Sequence, residues 1–217
     1  MNRAIKSVAL TAILILSMSA ATATQVAFGT VTANVDPTAT FFGGTLLDSA
    51  VTPINNSSYT GTARSAVYDT GSGLDFYYQF SNDSSSKNGI ERFTGYDFSS
   101  LGASVVDVFQ TASAFGIFTA GTEFSDTADR TALGVIGFNF VPNGNSKIDP
   151  GTTSYTQIVR TSAHNYSAGN FGLLDGIGDN ARGFAPTLAV PEPTSFSLLL
   201  AGAALVLLRK GRNIKRG

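Results

Sequence analysis

The sequence predicts an all-β protein: a single antiparallel β-sandwich or barrel-like domain flanked by an N-terminal signal-peptide helix and a C-terminal transmembrane helix. Three observations lead there. Leu74-Asp75-Phe76-Tyr77-Tyr78-Gln79-Phe80 puts Leu74, Phe76, Tyr78 and Phe80 on one face, the period of two of a half-buried strand, and Ile136, Phe138 and Phe140 repeat it. Clusters of turn-forming residues stand between such runs, as in Thr70-Gly71-Ser72-Gly73, Pro142-Asn143-Gly144-Asn145 and Asp149-Pro150-Gly151. Between its two ends the chain has only two Lys and two Glu but abundant Gly, Ser, Thr and Asn, so it lacks the residues that populate solvated helix faces.

Residues 1–23 have the three zones of a secretory signal peptide. Arg3 and Lys6 precede the apolar run Val8 to Leu16, and the small residues Ala20 to Ala23 follow. Ala21 and Ala23 occupy the two positions a signal peptidase reads, which predicts cleavage after Ala23, with cleavage after Ala21 as the second choice. Residues 24–189 then form the β-domain. Its predicted strands are Gln25 to Val35, Phe41 to Leu47, Arg64 to Asp69 paired as a hairpin with Leu74 to Phe80, Ser104 to Gln110, Phe115 to Thr119, Ile136 to Phe140 and Tyr155 to Thr161. That makes about eight or nine strands, the spacing of a sandwich or barrel. The Ile158-Val159 pair breaks alternation, which signals burial on both faces or a bulge.

Residues 190–217 change character. Ser195 to Leu208 is uncharged and mostly apolar, and Arg209, Lys210, Arg212, Lys215 and Arg216 follow with no acidic neighbour. A helix from Thr194 to Leu208 measures roughly 22 Å against a hydrocarbon layer of about 30 Å. It spans with the bilayer thinned and Arg209 and Lys210 snorkelling to the interface, Arg209, Lys210 and Arg212 forming a cytoplasmic basic anchor.

Val190-Pro191-Glu192-Pro193 stands just before that helix. The order Pro-Glu-Pro, apolar helix, basic cluster resembles the PEP-CTERM sorting signal of Gram-negative bacteria, over about an eighth of the chain. The resemblance implies that an inner-membrane exosortase, a cysteine transpeptidase, processes the protein near Pro-Glu-Pro, so this chain is a substrate and not an enzyme. It implies capture in the inner membrane followed by delivery to the cell surface or extracellular matrix, within the exopolysaccharide layer. The chemistry of the motif agrees. Two prolines hold Val190 and Glu192 extended and keep the segment out of the helix, and Glu192 supplies a charged contact for an enzyme groove.

The implied partners are therefore the secretory translocon and signal peptidase, an exosortase, the inner membrane transiently, and polysaccharide as a further class. Nucleic acid is excluded because residues 24–189 carry 14 Asp/Glu against 7 Lys/Arg and no basic run. Without cysteine there is no disulfide, thiolate metal site or cysteine nucleophile. His164 has no G-x-S-x-G motif to serve, and a lone histidine makes no zinc site. No catalytic, cofactor or metal residues are assigned. Gly176-Ile177-Gly178-Asp179-Asn180-Ala181 fits G-x-G-x-x-A but reads as a glycine-rich loop, with Asp175 and Asp179 as solvated turn residues. Glu123, Asp126 and Asp129 form the densest acidic group. Asn55-Asn56-Ser57-Ser58, Asn82-Asp83-Ser84 and Asn165-Tyr166-Ser167 read as exposed loops, and Tyr77 as a strand residue facing solvent or a second sheet. Besides a non-enzymatic surface or matrix protein, two function classes stay open: a secreted carbohydrate-binding module and a secreted hydrolase using the acidic group.

Overall fold

The computed structural model describes residues 23–33, 35–37, 43–95, 97–141 and 147–188. The predicted signal-peptide and transmembrane helices lie outside these residues. The described chain is all-β, with two antiparallel sheets and one short 3-10 turn, Ser99–Leu101. The strands are β1 (Thr24–Val26), β2 (Thr30–Ala33), β3 (Asp36–Pro37), β4 (Thr45–Asn55), β5 (Thr60–Asp69), β6 (Leu74–Asn82) and β7 (Arg92–Gly95). After the 3-10 turn come β8 (Val106–Thr111), β9 (Thr127–Arg130), β10 (Ile136–Asn139), β11 (Thr156–Arg160), β12 (Tyr166–Asp175) and β13 (Ile177–Pro186). One sheet has the order β1-β8-β11-β6-β5-β4, with the short β3 lying parallel to β8, and the other β13-β12-β7-β10-β9-β2.

The chain changes sheet repeatedly, so the apolar sides of both sheets meet in one core. Phe76, Tyr78 and Phe80 of β6, Val106 and Val108 of β8 and Val159 of β11 come from one sheet. Phe93, Ile136, Phe138, Phe171 and Leu173 come from the other. Phe93 stands edge-on to both Phe140 and Phe171, each with ring centroids 4.9 Å apart. Such contacts add to the burial energy of the rings.

The alternation at Leu74 to Phe80 and Ile136 to Phe138 places β6 and β10, but β6 is not half-buried: Asp75, Tyr77 and Gln79 on its other face are as buried as Phe76, Tyr78 and Phe80. The Ile158-Val159 pair is buried on both faces without a bulge: Val159 enters the main core, while Ile158 joins a second cluster with Ala66, Tyr68, Tyr77, Phe109 and Phe118. That cluster corrects the reading of Tyr77, which is fully buried under the segment between β8 and β9. Two strand amides bind this cover. The Gln79 side chain donates to Thr119 O at 2.6 Å and accepts Thr119 N–H at 2.9 Å. Gln110 does the same for Ser125, with both bonds at 2.8 Å. Each glutamine thus satisfies loop backbone as a neighbouring strand would. Gln79→Leu is expected to cost about 1–3 kcal/mol, the penalty for stranding buried amide groups, seen as a lower denaturant midpoint and faster proteolysis between Ala112 and Gly121.

Other expectations are corrected. Gln25 to Val35 is not one strand but β1 and β2 in different sheets, separated by a turn in which Gly29 takes φ 75° and Thr30 N–H donates to Ala27 O. Phe115 to Thr119 is part of the cover, with only an isolated bridge between Phe115 and Phe118. Of the expected strand Phe41 to Leu47, Phe41 and Phe42 lie outside the described residues; among the described ones the strand begins at Thr45 and continues to Asn55, with a register shift between Leu46 and Asp48. The 176–181 stretch is no loop: Gly176, at φ 63°, turns the β12–β13 hairpin, and the remainder is strand. Thirteen strands stand among the described residues, more than the eight or nine expected.

Candidate functional site

Of the residues singled out for sorting and cleavage, only Ala23 is described; it is exposed and directly precedes β1. Ala21, Val190, Pro191, Glu192, Pro193, Arg209, Lys210 and Arg212 lie outside the described residues. What is visible is the strand that leads toward the motif: β13 ends at Pro186, four positions before Val190.

β13 is an edge strand, yet its outward backbone is occupied by side chains from elsewhere in the fold. Arg182 N–H donates to the Thr52 hydroxyl at 3.3 Å, and Ser65 donates to Arg182 O at 2.7 Å. Tyr78 donates to Phe184 O at 2.7 Å and Ser100 to Pro186 O at 2.8 Å. Burial pushes the Tyr78 phenol far above its ordinary pKa, so this donor stays protonated. An Arg182–Asp48 ion pair at 3.5 Å joins the same seam. These contacts occupy one amide and three carbonyls of an edge that would otherwise offer them to another chain.

Beside the end of β13 runs an open groove of about 670 Å³. One wall is the loop of Asp97, Ser99 and Ser100; the other is the start of β12 at Ser167 to Asn170, with Pro186 and Leu188 continuing the surface. The loop wall is held from beneath. Arg130, 1% exposed, donates through its guanidinium to Phe98 O at 3.1 Å, Gly102 O at 2.9 Å and Ser104 O, and its charge lies 5.3 Å from the centre of the Phe28 ring. Burial lowers the Arg130 pKa, and the carbonyl cage offsets the cost of holding the charge there. Phe98 N–H is bonded in turn to Gly134 O at 2.8 Å. Gly134 permits this approach: it takes φ 77°, and a Cβ there would lie 2.5 Å from Ser99 Cα.

Four of the acidic residues considered for chemistry, Asp129, Glu123, Asp175 and Asp179, have side-chain or strand partners, while Asp126 bonds through its backbone N–H to Asn139 O and His164 is exposed. Asp129 is gripped by Arg92, with Nη2 to Oδ1 at 2.8 Å, and by the Asn139 amide at 3.0 Å. Arg92 lies flat over Gly137, where any Cβ would collide with the guanidinium. Burial raises the Asp129 pKa, but hydrogen bonds from Arg92 and Asn139 and the Arg92 charge outweigh it, so the carboxyl sits below the usual range. Glu123 lies on the flank of the other sheet, bridged to Ser154 and accepting from the Thr122 hydroxyl at 3.1 Å. Asp175 accepts from Ser58 at 2.9 Å and faces Lys147, while Asp179 accepts from Asn56 at 3.2 Å. Among the described residues no group of three His, Cys, Asp or Glu is placed to hold a metal ion. Asn82 is buried, donating to Asn88 O and Ile148 O, and so is not the exposed loop residue expected; Asn165 is exposed.

Asp129 gives a pH test. A carboxyl held below its unfolded value, about 3.9, contributes stability that is present above that pH and lost as pH falls through the folded value. Asp129→Asn is expected to cost about 1–3 kcal/mol at neutral pH by leaving Arg92 without its counter-charge. It should also flatten the acid limb of stability against pH, measured by denaturant midpoints at neutral and acidic pH.

No known family, curated protein or solved structure matches the chain. Among the described residues no helix is long and apolar enough to cross a membrane.

Proposed function

We propose that this protein is a non-enzymatic cell-surface or matrix protein of a Gram-negative bacterium, sorted by an exosortase through residues 190–217. Its body is a single β-sandwich exported behind the cleavable segment 1–23. The C-terminal apolar helix holds the precursor in the inner membrane with Arg209, Lys210 and Arg212 on the cytoplasmic side, and the extended Pro191-Glu192-Pro193 stretch is presented outside for processing. The observation that carries the reading is the conjunction, in one chain, of the three-zone leader and the ordered Pro-Glu-Pro, apolar and basic segments.

Two features of the body suit it. β1 begins at Thr24, immediately after the preferred cleavage site, so cleavage there removes no strand residue. β13 is held by hydroxyls up to Pro186 and Thr187 N–H is bonded to Asn165 O, which leaves two residues, Leu188 and Ala189, before the motif. At about 3.3–3.6 Å per extended residue, that linker keeps the motif within roughly 15 Å of the body.

The deciding experiment is fractionation of cells making the full chain or a chain truncated after Leu188, with mass spectrometry of the mature ends. The reading requires a membrane precursor and a surface or released form that begins at Thr24 and has lost the basic tail. A product that keeps both termini and stays in the cytosol would dispose of it.

A further inference from the structure

The geometry points to the groove between the Asp97–Ser100 loop and the β12–β13 pair as a binding site for a neutral saccharide chain. The groove alone supports this, whatever the route by which the protein is sorted.

A volume of about 670 Å³ falls within the roughly 300–1,000 Å³ of small-ligand clefts. The groove is open to solvent, so a chain longer than the groove can lie in it. Its chemistry is mixed in the way a sugar ring needs. Ser99, Ser167 and Thr187 offer hydroxyls that both donate and accept, Asn170 offers an amide with both capacities, and Asp97 offers a carboxylate acceptor. Ala168 and Leu188 supply exposed apolar surface for the C–H faces of the rings, and Leu188 is 71% exposed with no described segment covering it.

The charge pattern narrows the class. Among the described residues no Lys, Arg or His lines the groove, so a phosphate, sulfate or uronate finds no counter-charge there, and Asp97 repels it. A peptide is disfavoured by the backbone. Strand addition needs a free edge, and the β13 edge beside the groove is already bonded by Thr52, Ser65, Tyr78 and Ser100. What remains is a neutral polyhydroxylated chain.

Preorganisation is the strongest support. The loop wall rests on the Arg130 cage, and Ser100 ties it to Pro186 across the base of the groove. Thr187 N–H is bonded to Asn165 O at 2.9 Å, which fixes the exit of β13. Burying a guanidinium with only carbonyl partners is costly, and its yield is a surface loop held in one position. Walls that are ordered before a ligand arrives reduce the entropy lost on binding.

The test uses the full chain in a sugar-free detergent, so that no glycosidic headgroup competes. Linear glucan, mannan and galactan oligosaccharides are titrated calorimetrically, with alginate oligosaccharides of equal length as the anionic control and an extended-peptide library as the second. At least one neutral series is expected to bind. Asn170→Ala should weaken that binding about tenfold or more, the worth of one or two lost hydrogen bonds. Separately, Ala168→Ile, a bulkier side chain with neither a flat face nor a polar group at an exposed groove position, should weaken it by a similar factor through obstruction. The melting temperature should stay unchanged. Should either substitution unfold the protein, the other still decides. The inference is overturned if no neutral series binds, if alginate binds as well as the neutral chains, if the peptides bind in their place, or if the folded variants bind like the parent.

Discussion

Replacing Pro191, Glu192 and Pro193 together by alanine is expected to leave the protein in the inner membrane as the precursor, with surface display and release reduced about tenfold or more. The substitution acts on two properties at once. Alanine is the best helix former, so the triple replacement lets the apolar helix extend back through positions 191–193, which proline forbids. An enzyme that reads an extended peptide then meets a helical one. Loss of Glu192 also removes the single charge between Arg182 and Arg209. A charge-assisted hydrogen bond is worth roughly 1.5–3 kcal/mol, and each 1.4 kcal/mol is a factor of about ten in affinity. The measurement is the ratio of tail-bearing to tail-free protein across membrane, surface and medium fractions. A second variant, Glu192→Gln with both prolines kept, separates the two causes: partial release would assign the larger share to backbone shape, and near-complete retention would assign it to the carboxylate. Release of the alanine form at the parental rate would remove the sorting proposal and leave the groove proposal intact.

Phe93→Ala is expected to be the most damaging of the core truncations, costing about 3–5 kcal/mol as a large-to-small change at a site that cannot collapse. Phe93 is 1% exposed and packs edge-on against Phe140 and Phe171 on its own sheet's inner side. Removing it strips one edge-to-face partner from each ring and opens a void where the two sheets meet. Against a total stability of roughly 5–15 kcal/mol this is a large fraction. With about 2–4 °C lost per kcal/mol in a domain of this size, the melting temperature should fall by roughly 6–20 °C. Leu133→Ala is the control: Leu133 is 80% exposed, and its loss should stay within about 0.5 kcal/mol. Equal effects for the two variants would mean that the aromatic cluster is not where the sheets are held.

The two predictions draw on parts of the chain that differ in legibility. β6 and β10 are readable because alternation is a property of neighbours along the chain, and the Phe76 and Phe138 faces announce themselves. β12 and β13 are not. Ser167-Ala168-Gly169-Asn170 and Gly178-Asp179-Asn180-Ala181 have weak intrinsic strand preference. They are strands because ten consecutive residues of each pair with the other and β12 pairs with β7. The glutamines mislead for a related reason. Gln79 and Gln110 look solvent-facing by type, yet both are buried and hold the segment that covers Tyr77 and Ile158. Nothing local distinguishes a glutamine bonded to a distant loop from one bonded to water. The groove had no signal either, since Asp97, Ser167 and Thr187 lie far apart in sequence and meet only through the closing of β13 against the rest of the fold.

By itself the sequence determined the all-β class, the absence of cysteine chemistry, the acidic body and the segmental order on which the sorting proposal rests, because each is a matter of residue type and short spacing. Tertiary structure alone decided which strands are neighbours, that the middle strands of one sheet are buried on both faces, that Arg130 props a surface loop and that hydroxyls bind the backbone of the β13 edge. Those outcomes depend on contacts between residues up to 130 positions apart, such as Thr52 and Arg182, and the energy of such a contact is set by where the folded chain brings the groups together.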